Sequence, residues 1–195
     1  AEVSGSSLNF IKIEGDAIVF VCDGKTPEVQ GKILDRTIAL MVMAFYGRRR
    51  SLGLKNTCPC AACRNIDRLD LKMTIDLGPI SSFTINEKPD ISGLPVIRAF
   101  RLLKVKTRHR ANIIVTQMAY RFVKMPWREG SEQIEYDLEG VGILQVHYHG
   151  FEPEKLILGR SVPLNEKAGF WSVFSGKFKN NFRHLRSSLR WRKKR

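Results

Sequence analysis

A lysine and an aspartate lie close together around a predicted turn near the start of the chain. Lys12 and Asp16 fall within residues 10–20, where β-branched and aromatic residues flank Glu14-Gly15-Asp16. This pattern predicts two strands joined by a tight hairpin, with Asp16 at the tip of a buried sheet. A carboxylate in that place can hold a hard divalent cation, and a nearby ammonium can pair with a phosphate or a base. The simpler alternative is a Gly-Asp turn with no further role.

Three cysteines form a second group, with the spacing C-x-C-x-x-C. Cys58, Cys60 and Cys63 can direct two or three thiolates at one tetrahedral ion such as zinc. The candidates for a fourth ligand are Cys22, His109, His147 and His149. The alternative is a short loop of reduced thiols. No acid–base pair accompanies the cysteines, so we expect a metal here to be structural.

The composition is that of a folded and strongly basic protein. Of the 195 residues, 43% are hydrophobic and 27% are charged, which is sufficient for one sizeable core and excludes a disordered chain. The net charge is +14, and a run of basic residues after position 176 accounts for most of it. Clustered cysteines favour a reduced metal or redox site over a disulfide framework. We expect a cytoplasmic protein, because we find neither a membrane-spanning apolar run nor a secretory signal.

The order of the predicted elements indicates an α+β fold. A hairpin over 8–22 is followed by a helix that begins at Thr26-Pro27-Glu28 and ends at Gly47 and the three arginines after it. Strands over 69–77 and 80–85 are predicted to form a second hairpin, turned at Gly78-Pro79. A helix over 95–104, a strand over 111–116, a short helix over 117–123 and strands within 134–148 complete the domain. This order predicts a mostly antiparallel sheet with helices on one face.

Two stretches resemble the catalytic domains of class III adenylyl and guanylyl cyclases. Residues 11–16 look like the lysine-x-x-Gly-Asp hairpin of that family, and residues 90–101 look like its Asp-Ile-x-Gly-x-x-Val-Asn-x-Ala-x-Arg segment. The match extends to the element order over 8–148, which implies the ferredoxin-like sheet of the cyclases. The cysteine cluster and Arg101-Leu-Leu-Lys104 most resemble an uncharacterised bacterial branch of cyclase-like proteins, catalogued as a domain of unknown function.

The resemblance implies roles for four residues. Asp16 would be one of two carboxylates that bind Mg²⁺ or Mn²⁺, and Lys12 and Asp90 would read the edge of a purine. Arg101 would stabilise charge on the phosphates in the transition state. The reaction implied is attack of a ribose 3′ hydroxyl on the α-phosphate of a purine nucleoside triphosphate, with release of pyrophosphate.

The chain departs from the cyclase pattern at two places. The first metal carboxylate of the family precedes the hairpin, and nothing in residues 1–9 resembles its segment. The transition-state asparagine falls at Ile97, and losing one such donor costs about 2.7–4 kcal/mol. We therefore expect a degenerate, non-catalytic domain with a nucleotide-binding or regulatory signalling role. One alternative is an active purine nucleotide cyclase completed by an upstream segment or by a partner chain, as in a homodimer.

Residues 151–195 are expected to form an extension to a domain over 1–150. Aromatic and leucine residues from Phe170 to Leu189 recur at three- and four-residue spacing, with basic residues on the other faces. This is typical of a basic amphipathic helix that binds an anionic membrane surface or an acidic partner, and it supports a third hypothesis, an interaction module. A helix packed on the domain and a nucleic-acid contact are the alternatives. The residues expected at the anionic surface are Trp171, Phe174, Phe178, Phe182, Arg183, Arg186, Arg190, Lys193 and Lys194.

Overall fold

The computed structural model describes residues 7–56, 58, 60–124 and 130–152. In chain order the elements are β1 (Ser7–Glu14), β2 (Ala17–Asp23), α1 (Pro27–Lys55), α2 (Ala61–Arg64), a 3-10 turn (Ile66–Arg68), β3 (Lys72–Ile75), β4 (Ser81–Ile85), β5 (Lys88–Ser92), α3 (Leu94–Lys104), β6 (Asn112–Thr116), α4 (Gln117–Tyr120), β7 (Glu132–Leu138) and β8 (Gly142–Gly150). The predicted α+β class is confirmed. The described strands form three sheets rather than one.

Strands β1 and β2 form the predicted first hairpin. Glu14 pairs with Ala17 across a two-residue loop, and Gly15 has a φ of 64°. A glycine with positive φ at the first loop position is the pattern of a type II′ turn, which matches the twist of the two strands. Phe10 and Ile13 are 56% and 65% exposed, so one face of this hairpin is open to solvent. The expectation of a buried sheet beneath Asp16 is wrong for that face.

Helix α1 begins at Pro27, as predicted from the proline and the acidic first turn. Ile38, Val42 and Tyr46 are buried and lie four residues apart, which places them on one stripe of the helix. The predicted end at Gly47 is wrong, because the helix continues to Lys55. A glycine inside a helix costs only about 1 kcal/mol relative to alanine, so favourable contacts in the following turns can outweigh it.

One such contact is made by Arg49, just past the glycine. Its guanidinium lies 4.7 Å from the centroid of the Tyr46 ring and donates hydrogen bonds to the carbonyl of Leu69 at 2.7 Å and to Asp70 at 3.0 Å. The last turns of α1 are thereby tied to the segment that leads into β3. These long-range contacts cannot be read from local sequence.

The largest described sheet has the strand order β3-β6-β8-β7. Strand β3 is parallel to β6, and the other two pairings are antiparallel. The predicted hairpin between 69–77 and 80–85 is therefore wrong, since β3 pairs with β6 and β4 pairs with β5. Strand β5 was not predicted and contains Pro89, which is tolerated because proline can occupy an edge strand of a small hairpin.

The core of this sheet surrounds β6, all five residues of which are buried. Its three middle residues, Ile113, Ile114 and Val115, form an apolar run of the kind expected in a central strand covered on both faces. The buried cluster that includes Ile114 consists of Leu102, Ile114, Leu138, Val146 and Tyr148. Leu102 lies on α3, so this helix packs against the sheet.

The described residues fall into two compact units. The first contains the chain up to Leu40 together with Leu71–Glu152, and the second contains Met41–Asp70. No helix in the described residues is long and apolar enough to cross a membrane. The predicted extension over 151–195, with all of the tail residues expected to bind an anionic surface, lies outside the described residues except for its first two positions. The predicted division after residue 150 stays a prediction.

Candidate functional site

Lys12 and Asp90, the two residues expected to read a purine edge, are in direct contact. Lys12 lies on β1 and Asp90 on β5, and the lysine Nζ is 2.8 Å from Asp90 Oδ1. The hydrogen bond to Asp90 raises the pKa of Lys12. The hydrogen bond from Lys12 lowers the pKa of Asp90, and the backbone N–H of Ile91, 2.8 Å away, lowers it further. Both groups are therefore charged at neutral pH.

The pair is placed by its two hairpins, and it is accessible. The side chain of Lys12 is 30% exposed and that of Asp90 is 26% exposed. Glu14 is a second acid near the ammonium, at 3.4 Å. Asp90 could instead have capped the following helix, but the N-cap of α3 is Gly93 and no side chain caps it. The geometry is thus a donor and an acceptor side by side at a partly open surface.

Asp16 and Arg101, the residues expected to serve metal and phosphate, do not meet in the described part of the chain. Asp16 is exposed at the hairpin turn, and no hydrogen bond or ion pair reaches it there. Arg101 donates to Glu139 at 2.7 Å, and its side chain is 38% exposed. Ile97, at the position of the cyclase asparagine, is 50% exposed on α3. No hydrogen bond or ion pair joins Asp16 to Arg101 in the described residues, and their roles stay predictions.

The three clustered cysteines do converge. The sulfurs of Cys58, Cys60 and Cys63 all lie within 4.8 Å of one another. Three thiolates at about 2.3 Å from a tetrahedral zinc are roughly 3.8 Å apart, so a small adjustment brings these sulfurs to ligand distance. In the described residues this is the only group of three or more cysteine, histidine or acidic side chains that could hold a metal ion. The cluster could bind a metal such as zinc.

Local backbone structure explains why the cysteines converge. Cys60 is the N-cap of α2, and the backbone N–H of Cys63 donates to its sulfur at 3.4 Å. Asn56 spans the loop: its amide donates to the carbonyl of Cys63 at 2.8 Å, and its side-chain oxygen accepts from the N–H of Cys58 at 2.9 Å. Sequence reasoning did not single out Asn56. Its position two residues before the first cysteine was the one available sign.

The thiols differ in acidity. The N–H of Cys63 and the neighbouring thiols lower the pKa of Cys60, because they donate hydrogen bonds to its thiolate. Hydrogen bonding with Cys60, and then with Cys58, raises the pKa of Cys63 to about 11, because the protonated thiol of Cys63 is the donor to these sulfurs. Cys60 is also the exposed member of the group, whereas Cys58 and Cys63 are partly buried.

The four candidates for a fourth ligand all belong to the first compact unit and have contacts there. Burial raises the pKa of Cys22, which disfavours the thiolate that a metal needs. Nδ1 of His109 lies 3.0 Å from the hydroxyl of Tyr148, and Nε2 of His147 lies 2.6 Å from the side-chain oxygen of Gln117. Burial lowers the pKa of His149. No observation assigns any of them to the cluster.

Sequence reasoning missed a buried polar network between β3, α3 and β6. Asp76 is 2% exposed and accepts hydrogen bonds from Arg98 Nε at 2.6 Å and from the Thr116 hydroxyl at 2.6 Å. A second nitrogen of Arg98 lies 3.2 Å from the other carboxylate oxygen. Such a charge survives burial only when it is paired and hydrogen-bonded. Local patterns cannot pair residues on separate elements, and an aspartate after a strand was the only signal.

Comparison with known proteins places most of the described chain in one family. Residues 2–111 match the family model described as "Protein of unknown function (DUF2652)". No curated protein matches the chain, and no solved structure matches it either. The matched range contains Lys12, Asp16, Asp90, Arg101 and the cysteine cluster.

Proposed function

The chain belongs to the DUF2652 family, and we propose that it is a degenerate, cyclase-like domain that binds a purine nucleotide in a regulatory or signalling role. The observation that carries this proposal is the contact between Lys12 and Asp90. These residues are far apart in sequence and come from two different hairpins. The resemblance to class III cyclases, and no local pattern, predicted that they act together.

The chemistry of the pair suits a purine edge. An adenine presents an amino donor beside a ring-nitrogen acceptor, so a carboxylate and an ammonium side by side can satisfy both. The partly exposed side chains leave room for a base to insert at the pair. On binding, the ammonium and the carboxylate move partly apart, and each forms a hydrogen bond with the base. Hydrogen bonds with one charged partner are stronger than those between two neutral groups. Adenine is therefore the base that we propose.

Binding without efficient turnover is the expected behaviour of this chain. Asp16 is one exposed carboxylate, and Mg²⁺ or Mn²⁺ bound to it would depend largely on the phosphates of the nucleotide. Ile97 supplies no donor for a transition state. The second candidate, an active cyclase, needs further ligands from an upstream segment or from a partner chain such as a second copy.

Two other properties belong to this proposal. Zinc is the metal that we propose for the cysteine cluster, and it takes no part in nucleotide chemistry. The basic residues 177–195 provide an affinity for an anionic membrane surface or an acidic partner, which would place the domain at the membrane periphery. Co-sedimentation with anionic and neutral vesicles tests the latter: binding to the anionic vesicles alone, reversed by salt, supports it, and equal binding to both contradicts it.

Isothermal titration calorimetry with ATP and with GTP, each with Mg²⁺, tests the nucleotide proposal. We expect ATP to bind more tightly than GTP and the Lys12→Met variant to bind ATP about tenfold more weakly or worse. Arg108→Met is the matched control, because Arg108 forms a comparable but more exposed ion pair with Glu132 at 3.2 Å. No heat with either nucleotide, or equal losses in the two variants, would contradict the proposal.

A further inference from the structure

The cysteine cluster lacks a fourth protein ligand in the described part of its own unit. Met41–Asp70 contains two carboxylates and no histidine. Asp70 pairs with Arg49 at 3.0 Å. Asp67 faces the backbone of α1, because a Cβ added at Gly53 would lie 2.5 Å from its carboxylate oxygen. Both acids are thus directed at groups other than the three sulfurs.

A polar neighbour of the cysteines, Asn56, is also engaged. Asn56 uses its amide nitrogen on the carbonyl of Cys63 and its side-chain oxygen on the N–H of Cys58. Turning this side chain toward a metal would break both hydrogen bonds and release the loop that holds the sulfurs together. A closed structural zinc site needs four protein ligands, and these described residues provide three.

The charge and exposure around the cluster indicate what completes it. Zinc with three thiolates carries a net charge of about −1, since each thiolate contributes one negative charge. The segment that holds the cluster is strongly cationic, and its basic residues are Arg48, Arg49, Arg50, Lys55, Arg64 and Arg68. Cys60 is exposed, and so are Ala61 and Ala62, so a small molecule can reach the metal from solvent. A soft anion suits both the ion and its surroundings.

We propose that Cys58, Cys60 and Cys63 bind one zinc ion whose fourth position is taken by a small thiol from outside the chain. This inference rests on the zinc that we assign to the cluster and is independent of nucleotide binding. The bound thiol can exchange with solvent, because Cys60 and the adjacent Ala61 and Ala62 are exposed. Occupancy of the fourth position then depends on the concentration of small thiols in the compartment. A site closed by four protein ligands cannot respond in this way.

The first test uses the full-length chain and zinc or Co²⁺ alone. We expect about one metal per chain, and X-ray absorption of the zinc form should show three sulfur ligands at about 2.3 Å. In the Co²⁺ form, a small thiol such as 2-mercaptoethanol should raise the sulfur-to-metal charge-transfer absorption saturably, by about a third, as three sulfur ligands become four. Less than a tenth of a metal per chain would overturn both the zinc assignment and the inference.

The second test identifies a ligand from the chain itself. If four protein ligands close the site, the Co²⁺ spectrum will not respond to the thiol, and this result overturns the open position while leaving the zinc in place. His184, which lies outside the described residues, is then a candidate, and a His184→Ala variant that regains the response to the thiol would identify it as the ligand. Cys60→Ser should lower the charge-transfer absorption by about a third, because one of three thiolates is lost, whereas the control Cys22→Ser should leave it unchanged. Equal effects of the two serine variants would overturn the assignment.

Discussion

Arg98 forms a bidentate ion pair with Asp76: Nε lies 2.6 Å from one carboxylate oxygen, and a terminal nitrogen lies 3.2 Å from the other. The carboxylate is almost fully buried, and Thr116 also donates to it. The three residues join α3 to the paired strands β3 and β6: Arg98 lies on α3, Asp76 directly follows β3, and Thr116 is the last residue of β6. We infer that this network fixes the position of α3, and with it the adjoining strand β5, which carries Asp90.

Removing one member of this network should lower the free energy of unfolding substantially. We expect Arg98→Met to lower the free energy of unfolding by about 3–5 kcal/mol, because it leaves the Asp76 charge buried without its partner. The control is Arg101→Met, which breaks the exposed ion pair with Glu139 and should cost no more than about 1 kcal/mol. Urea unfolding followed by circular dichroism measures both. Similar losses in the two variants would show that Asp76 is compensated by other groups.

The Lys12–Asp90 pair predicts a pH-dependent contribution to stability. The folded-state pKa of Asp90 is lowered, so the pair stabilises the fold above the ordinary pKa of an aspartate and loses that effect as the pH falls through the lowered value. The pKa of Lys12 is raised, so the contribution is lost again as the pH rises through that value. Lys12→Met should therefore be destabilised relative to wild type at pH 7 and should approach it in acid, as the pH falls through the lowered pKa of Asp90. A difference that does not change between pH 7 and that acidic range would contradict the pair.

The turn between β4 and β5 stores strain at a non-glycine residue. Asn86 and Glu87 both have positive φ, at 48° and 64°, which is the pattern of a type I′ turn. Glutamate in that conformation costs roughly 1–2 kcal/mol, whereas Asn-Gly is the preferred pair. We expect Glu87→Gly to raise the free energy of unfolding by about 1 kcal/mol. Lys88→Gly, one residue later on β5, is the control and should lower it. Thermal unfolding distinguishes the two outcomes.

Asn56 should control metal affinity without being a ligand. We expect Asn56→Ala to weaken zinc binding by about 10- to 100-fold, since residues that orient ligands typically contribute that much. Asn65→Ala is the control in the same loop: Asn65 donates to the carbonyl of Ala61 at 2.8 Å and touches none of the three cysteines through its side chain. Competition with a zinc chelator measures both affinities. Equal affinities in the two variants would show that Asn56 does not organise the cluster.

Local chemistry in the sequence was sufficient to predict several elements. Gly15-Asp16 predicted the first turn, and Thr26-Pro27-Glu28 predicted the start of α1. The strands predicted within 134–148 are present as β7 and β8, on either side of a turn that contains Glu139-Gly140. In each case the deciding residues lie within a few positions of the feature, so backbone preference and capping determine it.

The errors occurred where distant contacts decide the structure. Gly47 and the arginines after it read as a helix end, but Arg49 binds Leu69 and Asp70 and the helix continues. The partner of β3 could not be predicted, because a strand pattern does not say whether its neighbour is the next strand or one far along the chain. The Asp76–Arg98 pair was missed for the same reason.

Only those parts of the site whose residues belong to a recognisable sequence motif could be predicted. The spacing of Cys58, Cys60 and Cys63 predicted that their sulfurs converge, and the structure places them together. The resemblance to cyclases assigned Lys12 and Asp90 to one purine edge; the two side chains are in contact, and that role stays a prediction. Nothing in the sequence indicated that Arg101 contacts Glu139, because both are ordinary surface charges.

The strand order β3-β6-β8-β7 has a consequence for how the protein is made. As the chain leaves the ribosome, β6 gains its first neighbour early but receives its second only when the final described strand, β8, has emerged. Until then one side of the Asn112–Thr116 backbone lacks its strand partner, and apolar side chains such as Ile114 and Leu102 lack the covering of Val146 and Tyr148. Nascent chains that stall before Gly142 should therefore be the ones that chaperones retain.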